Sequence, residues 1–172
     1  DEAKVLRNLK IRGIPSPILG AYDWPGQYKP FDHQKDTAAF LTLNQRAFCF
    51  NEQGTGKTGS VIWAADYLLK QRRIKRVLVI CPLSIMDSAW RADLFKFAMH
   101  RSVDIAYGAK DKRRAIIKGN AEFIIINFDG VETPVTHPHG LKRYFGATPI
   151  LPNILTAWNN ANNSELNETQ LW

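Results

Sequence analysis

The sequence predicts an α/β domain built on a doubly wound, mostly parallel sheet, and three observations carry that expectation. Short apolar runs at Arg46–Phe50, Val77–Cys81, Val103–Tyr107 and Phe123–Ile126 alternate with segments of helical spacing. Strands that are nearly all apolar belong to sheets covered by helices on both faces. The run Ala47-Phe48-Cys49-Phe50 leads straight into Asn51-Glu52-Gln53-Gly54-Thr55-Gly56-Lys57-Thr58 and a helical pattern to about Lys70, which is the strand, turn and helix order of a phosphate-binding loop. The length of 172 residues suits one domain with a proper core and is short for two.

The elements follow in order. Residues 1–28 mix charges, prolines and aromatics, including Ile14-Pro15-Ser16-Pro17 and Trp24-Pro25-Gly26, and read as an extended, turn-rich N-terminal segment with a short strand at Leu9–Ile11. From Phe31 the spacing of Ala38, Ala39, Leu41 and Leu43 fits a helix that ends before the Arg46–Phe50 strand. A helix over 58–70 precedes strand 77–81. Pro82 and a helix from Ser84 to about Met99, with Asp87 placed to complete a cap, come next. A strand at Val103–Tyr107, a basic helix at 110–118 and the strand Phe123–Ile126 complete the regular part. After Glu132 no strand–helix repeat is legible. Residues 133–172 form an atypical tail, with Ile150–Trp158 apolar enough to pack and no structure assigned to 159–172.

The loop carries a definite chemistry. Gly54 and Gly56 permit dihedrals and close approaches that a side chain would block, so successive amide N–H groups can curl round a phosphate. The following helix aims its positive end at the same anion. Lys57 is placed to reach terminal phosphates as a point charge, and the Thr58 hydroxyl to take one position on a magnesium ion. Asn51 stands where a generic loop has its first glycine.

Net charge is +7, and all 23 Lys and Arg lie at or before Arg143, with clusters at Arg72-Arg73 to Arg76 and at Lys110 to Arg114. Such clusters suit a polyanion, nucleic acid above all, and equally suit a solvated face. Cys49 and Cys81, the two cysteines, each fall in an apolar run and read as reduced strand residues. No stretch resembles a membrane span or an export signal, so no membrane partner and a cytoplasmic setting are expected. His137 and His139 share a proline-flanked loop without a third ligand and read as incidental.

Over roughly Lys29–Glu132, about three-fifths of the chain, these segments resemble the first RecA-like domain of superfamily 2 helicases, specifically Swi/Snf-type DNA translocases. Pro30-Phe31-Asp32-His33-Gln34 looks like the glutamine motif before the phosphate loop, which implies that Gln34 reads the adenine edge of ATP. Tyr28 or Phe31 is a candidate to stack on that base. Asn51–Thr58 is similar to the family's acidic-Glu-Met-Gly-Leu-Gly-Lys-Thr loop, with Asn51 for Asp, Gln53 for Met and Thr55 for Leu, so the resemblance implies ATP contacts at Gln53, Gly54, Thr55, Gly56, Lys57 and Thr58. Val77–Cys81 followed by Pro82-Leu83-Ser84 and Trp90 looks like the motif whose strand end grips DNA phosphates; Ser84 also fits the bland role of capping its helix. Phe123–Asp129 is similar to the strand that ends in Thr-Tyr-Glu. A rival reading makes it a Walker B strand, with Asp129 holding magnesium two positions later than that motif wants.

One departure from the family weighs on the chemistry. The Asp-Glu pair that should follow is absent, since Val131–Trp172 contains no aspartate and its three glutamates are unpaired. The resemblance thus implies a RecA-like domain that stops short of its Walker B motif and lacks the second RecA-like domain. It is expected to bind ATP and magnesium, to hydrolyse ATP weakly or not at all, and to contact DNA. A missing internal strand would leave apolar sheet edges, so self-association is expected. The alternative is a non-catalytic oligomeric interaction module with a residual phosphate loop.

Overall fold

A computed structural model describes residues 16–44 and 46–130. The chain divides into two units: one runs up to Arg73 and includes Ala89–Arg101, and the other comprises Ile74–Ser88 and the residues from Ser102 on.

The first unit is helical. Helix α1 (Pro17–Ala21) opens with proline in its first turn, where the missing N–H has no helical partner to lose. The extended reading of this stretch is corrected here; Ser16-Pro17 is itself a helix-start signal. Helix α2 (Asp32–Leu43) starts with the Phe31 N–H donating to Gln34 Oε1 at 3.0 Å, one half of a capping box. Helix α3 (Lys57–Lys70) follows Gly56 and buries most of its circumference, from Gly59 to Leu69. Helix α4 (Ala92–Phe97) completes the unit.

Aromatic rings fill the space between these helices. Tyr22 meets Trp24 at 5.1 Å and Tyr67 at 5.7 Å, and Trp63 meets Trp24 at 5.8 Å and Phe97 at 4.9 Å, all edge to face. This geometry sets ring edges against π faces and adds to the apolar burial. The Trp63 indole N–H donates to the Pro25 carbonyl at 2.9 Å. Next to it Gly26 has φ +111°, and a Cβ there would stand 2.4 Å from the Lys96 carbonyl. Asp66, 1 % exposed, is the polar anchor. Its carboxylate accepts from the Tyr22 hydroxyl at 2.5 Å, from His100 Nε2 at 2.8 Å and from Arg101 Nε. Burial alone would raise the Asp66 pKa, but the Tyr22 and Arg101 hydrogen bonds, with the Arg101 and His100 charges, hold it below the ordinary carboxylate value.

The second unit carries a three-stranded parallel sheet, β1 (Val77–Cys81), β2 (Val103–Ala106) and β3 (Phe123–Asn127), in the order β1-β3-β2. Val77 and Val103 both pair with Phe123, so the three strands start level. All five β3 residues are buried, as a central strand covered on both faces requires. Helix α5 (Lys110–Lys118) connects β2 to its neighbour β3, a βαβ unit, and buries Ile117 with Ala106, Ile124 and Ile126. Arg76 donates to the Ala121 and Ile117 carbonyls, both at 2.8 Å, and so closes the C-terminal end of α5. The fold is α/β with an open parallel sheet, as the sequence predicts, and β1 and α5 have the predicted bounds.

Two elements differ from expectation. Arg46–Phe50 is not a strand: no ladder among the described residues pairs it, and Phe48 and Phe50 are 70 % and 75 % exposed with their rings stacked 5.7 Å apart. Apolar residues at alternate positions prepare a strand, but only a hydrogen-bonded neighbour makes one. The single helix expected over Ser84–Met99 is instead a 3₁₀ turn (Leu83–Ile85), a π turn (Met86–Arg91) and α4. Each change of period rotates the later side chains relative to the earlier ones. Ser84 therefore lies inside the 3₁₀ turn rather than capping a helix, and its carbonyl accepts from the Ser88 hydroxyl at 3.0 Å. The expected strand at Leu9–Ile11 and the tail 133–172 lie outside the described residues. Among the described residues no helix is long and apolar enough to cross a membrane.

Candidate nucleotide-binding site

The loop between Phe50 and α3 turns on its glycines. Gly56, with φ +75° and ψ +30°, is left-handed and immediately precedes the first residue of α3. Its conformation requires glycine, and a Cβ at this position would stand 2.1 Å from Gln34 Nε2 and push that side chain aside. The first N–H groups of α3 have no partner within the helix and face the concave side of such a turn.

Helix α2 holds this loop. Gln34 Nε2 donates to the Thr55 carbonyl at 3.1 Å, and His33 Nε2 lies 3.1 Å from the same oxygen. A carbonyl only accepts, so His33 carries its proton on Nε2. Gln34 uses one N–H and one lone pair within the chain, through Thr55 and Phe31, which leaves one of each for a ligand. At the other end of the loop Asn51 Nδ2 donates to Thr37 Oγ1 at 2.9 Å.

Lys57 lies across the loop. Its ammonium donates to the Asn51 and Glu52 carbonyls, each at 2.7 Å. Thr55 turns its hydroxyl back to Glu52 O at 2.8 Å, while Gln53 and Gly54 form the exposed tip. Thr58 sits in the first turn of α3. Phe31 is 70 % exposed and stacks on the His33 ring at 5.8 Å, whereas Tyr28 leans on Phe97 at 6.2 Å. Of the two aromatics proposed to stack on a base, Phe31 is the one beside the loop. The donor set, with one cation, a left-handed glycine and open helix N–H groups, fits a polyphosphate, and the Thr58 hydroxyl fits a magnesium ion carried with it.

The remaining candidates lie in the sheet unit. Pro82, Leu83 and Ser84 follow the end of β1, and Leu83 is 51 % exposed. Asp129 lies in a 3₁₀ turn (Phe128–Gly130) after β3, where its carboxylate accepts from Asn127 Nδ2 at 3.3 Å. Sequence reasoning missed His33 and Thr37 as supports of the loop. Their four-residue spacing on one helix, just after the aromatic that precedes the glutamine, was the available signal.

No curated protein sequence matches the chain. Among solved structures it is similar to the SWI2/SNF2 ATPase core of Sulfolobus solfataricus, solved in complex with dsDNA, with a TM-score of 0.53 at 23 % identity over 62 % of this chain. The chain spans 23 % of the length of that structure, and the likeness shows a shared RecA-like fold. A family model matches over residues 27–167, most of the chain, and on that match the chain belongs to the family described as type III restriction enzyme, res subunit, a helicase-like ATPase domain family.

Proposed function

We propose that this chain binds ATP with magnesium through Gln34, Gln53, Gly54, Thr55, Gly56, Lys57 and Thr58, and hydrolyses it weakly or not at all. The observation that carries the reading is the arrangement of Lys57 and Gly56 at the start of α3. The Lys57 ammonium is held by two neutral carbonyls, and a phosphate oxygen is the stronger partner for it. The Thr58 hydroxyl would hold a magnesium ion carried with the nucleotide, and that ion would supply charge neutralisation at the phosphates. Weak turnover is expected because Val131–Trp172 carries no Asp-Glu pair to position magnesium and the attacking water. Residues 29–132 are assigned as the nucleotide-binding domain and 133–172 as a segment for self-association.

A fluorescent ATP analogue tests the reading: saturable binding that Lys57→Ala abolishes supports it, and no binding at millimolar nucleotide overturns it. An ATPase that borrows Asp129 as its magnesium ligand would instead show turnover that Asp129→Asn removes. DNA contact through Pro82, Leu83 and Ser84 is supported by the basic clusters and by the dsDNA in the similar structure. It is expected to weaken steeply as salt rises, and salt-independent retention would contradict it.

The exposed, stacked Phe48 and Phe50 favour a second reading, an interaction module that self-associates over apolar surface. A monodisperse monomer in light scattering at high micromolar concentration removes it.

A further inference from the structure

We propose that Asn51, Thr37 and the His33 carbonyl form a hydrogen-bond relay that sets the entry end of the phosphate loop, which makes Asn51 and Thr37 positioning residues for polyphosphate binding. The inference rests on the nucleotide reading above and explains the residue that departs from a generic loop.

Thr37 lies one helical turn after His33, and its hydroxyl donates to the His33 carbonyl at 2.7 Å. This is the bond to the i−4 carbonyl that threonine makes within a helix. The one hydroxyl proton is thereby committed, and only lone pairs remain for the loop. Asn51 Nδ2 meets them at 2.9 Å. With the hydroxyl so committed, position 51 meets Thr37 as a donor. Glycine has no side chain to offer, and an ionised aspartate offers only acceptors, so it would meet Thr37 only by drawing the hydroxyl proton away from the His33 carbonyl. Thr37 is 8 % exposed, so water replaces a lost partner poorly.

The relay also places the loop against its own cation. Asn51 supplies both the side-chain amide that reaches Thr37 and a main-chain carbonyl that Lys57 grips. The far end of the loop is held from the same stretch of α2, since His33 and Gln34 both bond to the Thr55 carbonyl. Residues 33, 34 and 37 thus fasten the loop at both ends, and the span between them keeps the curvature a phosphate chain needs.

The test measures binding of a fluorescent ATP analogue, and of inorganic tripolyphosphate by competition, to the wild-type chain and to Thr37→Ser, Thr37→Val and Asn51→Asp. Thr37→Ser keeps the hydroxyl and is expected to bind within about twofold of wild type. Thr37→Val and Asn51→Asp are expected to weaken both ligands roughly three- to tenfold, the scale of one lost hydrogen bond. Wild-type affinity in both Thr37→Val and Asn51→Asp overturns the relay while leaving the nucleotide reading intact. Failure of the wild type to bind either ligand overturns the nucleotide reading instead. The relay is then read from urea unfolding of Thr37→Val, Asn51→Ala and the double variant, where additive effects overturn it and a double variant no worse than the poorer single one supports it.

Discussion

Phe123–Ile126 and Ala47–Phe50 are runs of the same length and similar apolar content, and they have opposite fates. The first lies between two parallel partners with every residue buried. The second has no ladder among the described residues and turns two phenylalanines to the surface. Apolar character sets what a strand can gain by burial, but neighbours on both sides decide whether the gain is realised. The units that contain these runs differ in the same way. The sheet unit is built on an apolar centre of isoleucines, whereas the helical unit adds a buried polar anchor, Asp66, to its aromatic rings.

The contrast can be broken or sharpened by substitution. Ile125→Ala removes a fully buried side chain from β3 and is expected to cost about 2–5 kcal/mol in chemical unfolding. A cost below that of a surface change would mean that β3 is not the centre of its unit. Asp66→Asn keeps the shape of the anchor and removes its charge, and is expected to cost about 1–3 kcal/mol at neutral pH. The folded Asp66 carboxyl is held below its ordinary value of 3.8, so its contribution is complete above that pH and is lost as the pH falls towards the folded value. The difference between wild type and Asp66→Asn should accordingly shrink below about pH 4, and a constant difference across that window would disprove the charged anchor. The smallest effect belongs to Phe48→Ser combined with Phe50→Ser, expected to lie within about 0.5 kcal/mol of wild type for a dilute monomer. A loss well above that, growing with protein concentration, would show that a second copy covers the pair.

Much of the fold was legible where local chemistry is decisive. The α5 segment with its basic residues, the Val77–Cys81 run and the turn around Gly54 and Gly56 all announce themselves within a few residues. The misread elements depend on what lies elsewhere. Ala47–Phe50 has the composition of a strand, and no local pattern tells whether a neighbour will pair with it. The π turn at Met86–Arg91 breaks a periodicity that looked continuous on paper. The site divides similarly: Lys57 and Gly56 can be read directly, while Thr37 becomes meaningful only once α2 lies beside the loop. The resemblance already accounts for Asn51 in place of a glycine, but its contact with Thr37 depends on the fold and is not written in the motif.

The position of β3 also bears on how the chain is made. Both β1 and β2 hydrogen-bond to β3 and not to each other, yet β3 is the last of the three to be synthesised. As the protein emerges from the ribosome, the two earlier strands have no native partner among the described residues until residue 127 is free of the exit tunnel. The sheet then forms in one late event across two long chain separations, which slows folding relative to the local helices. A nascent chain arrested before Phe123 should be bound by chaperones through its unpaired strands and released soon after β3 appears.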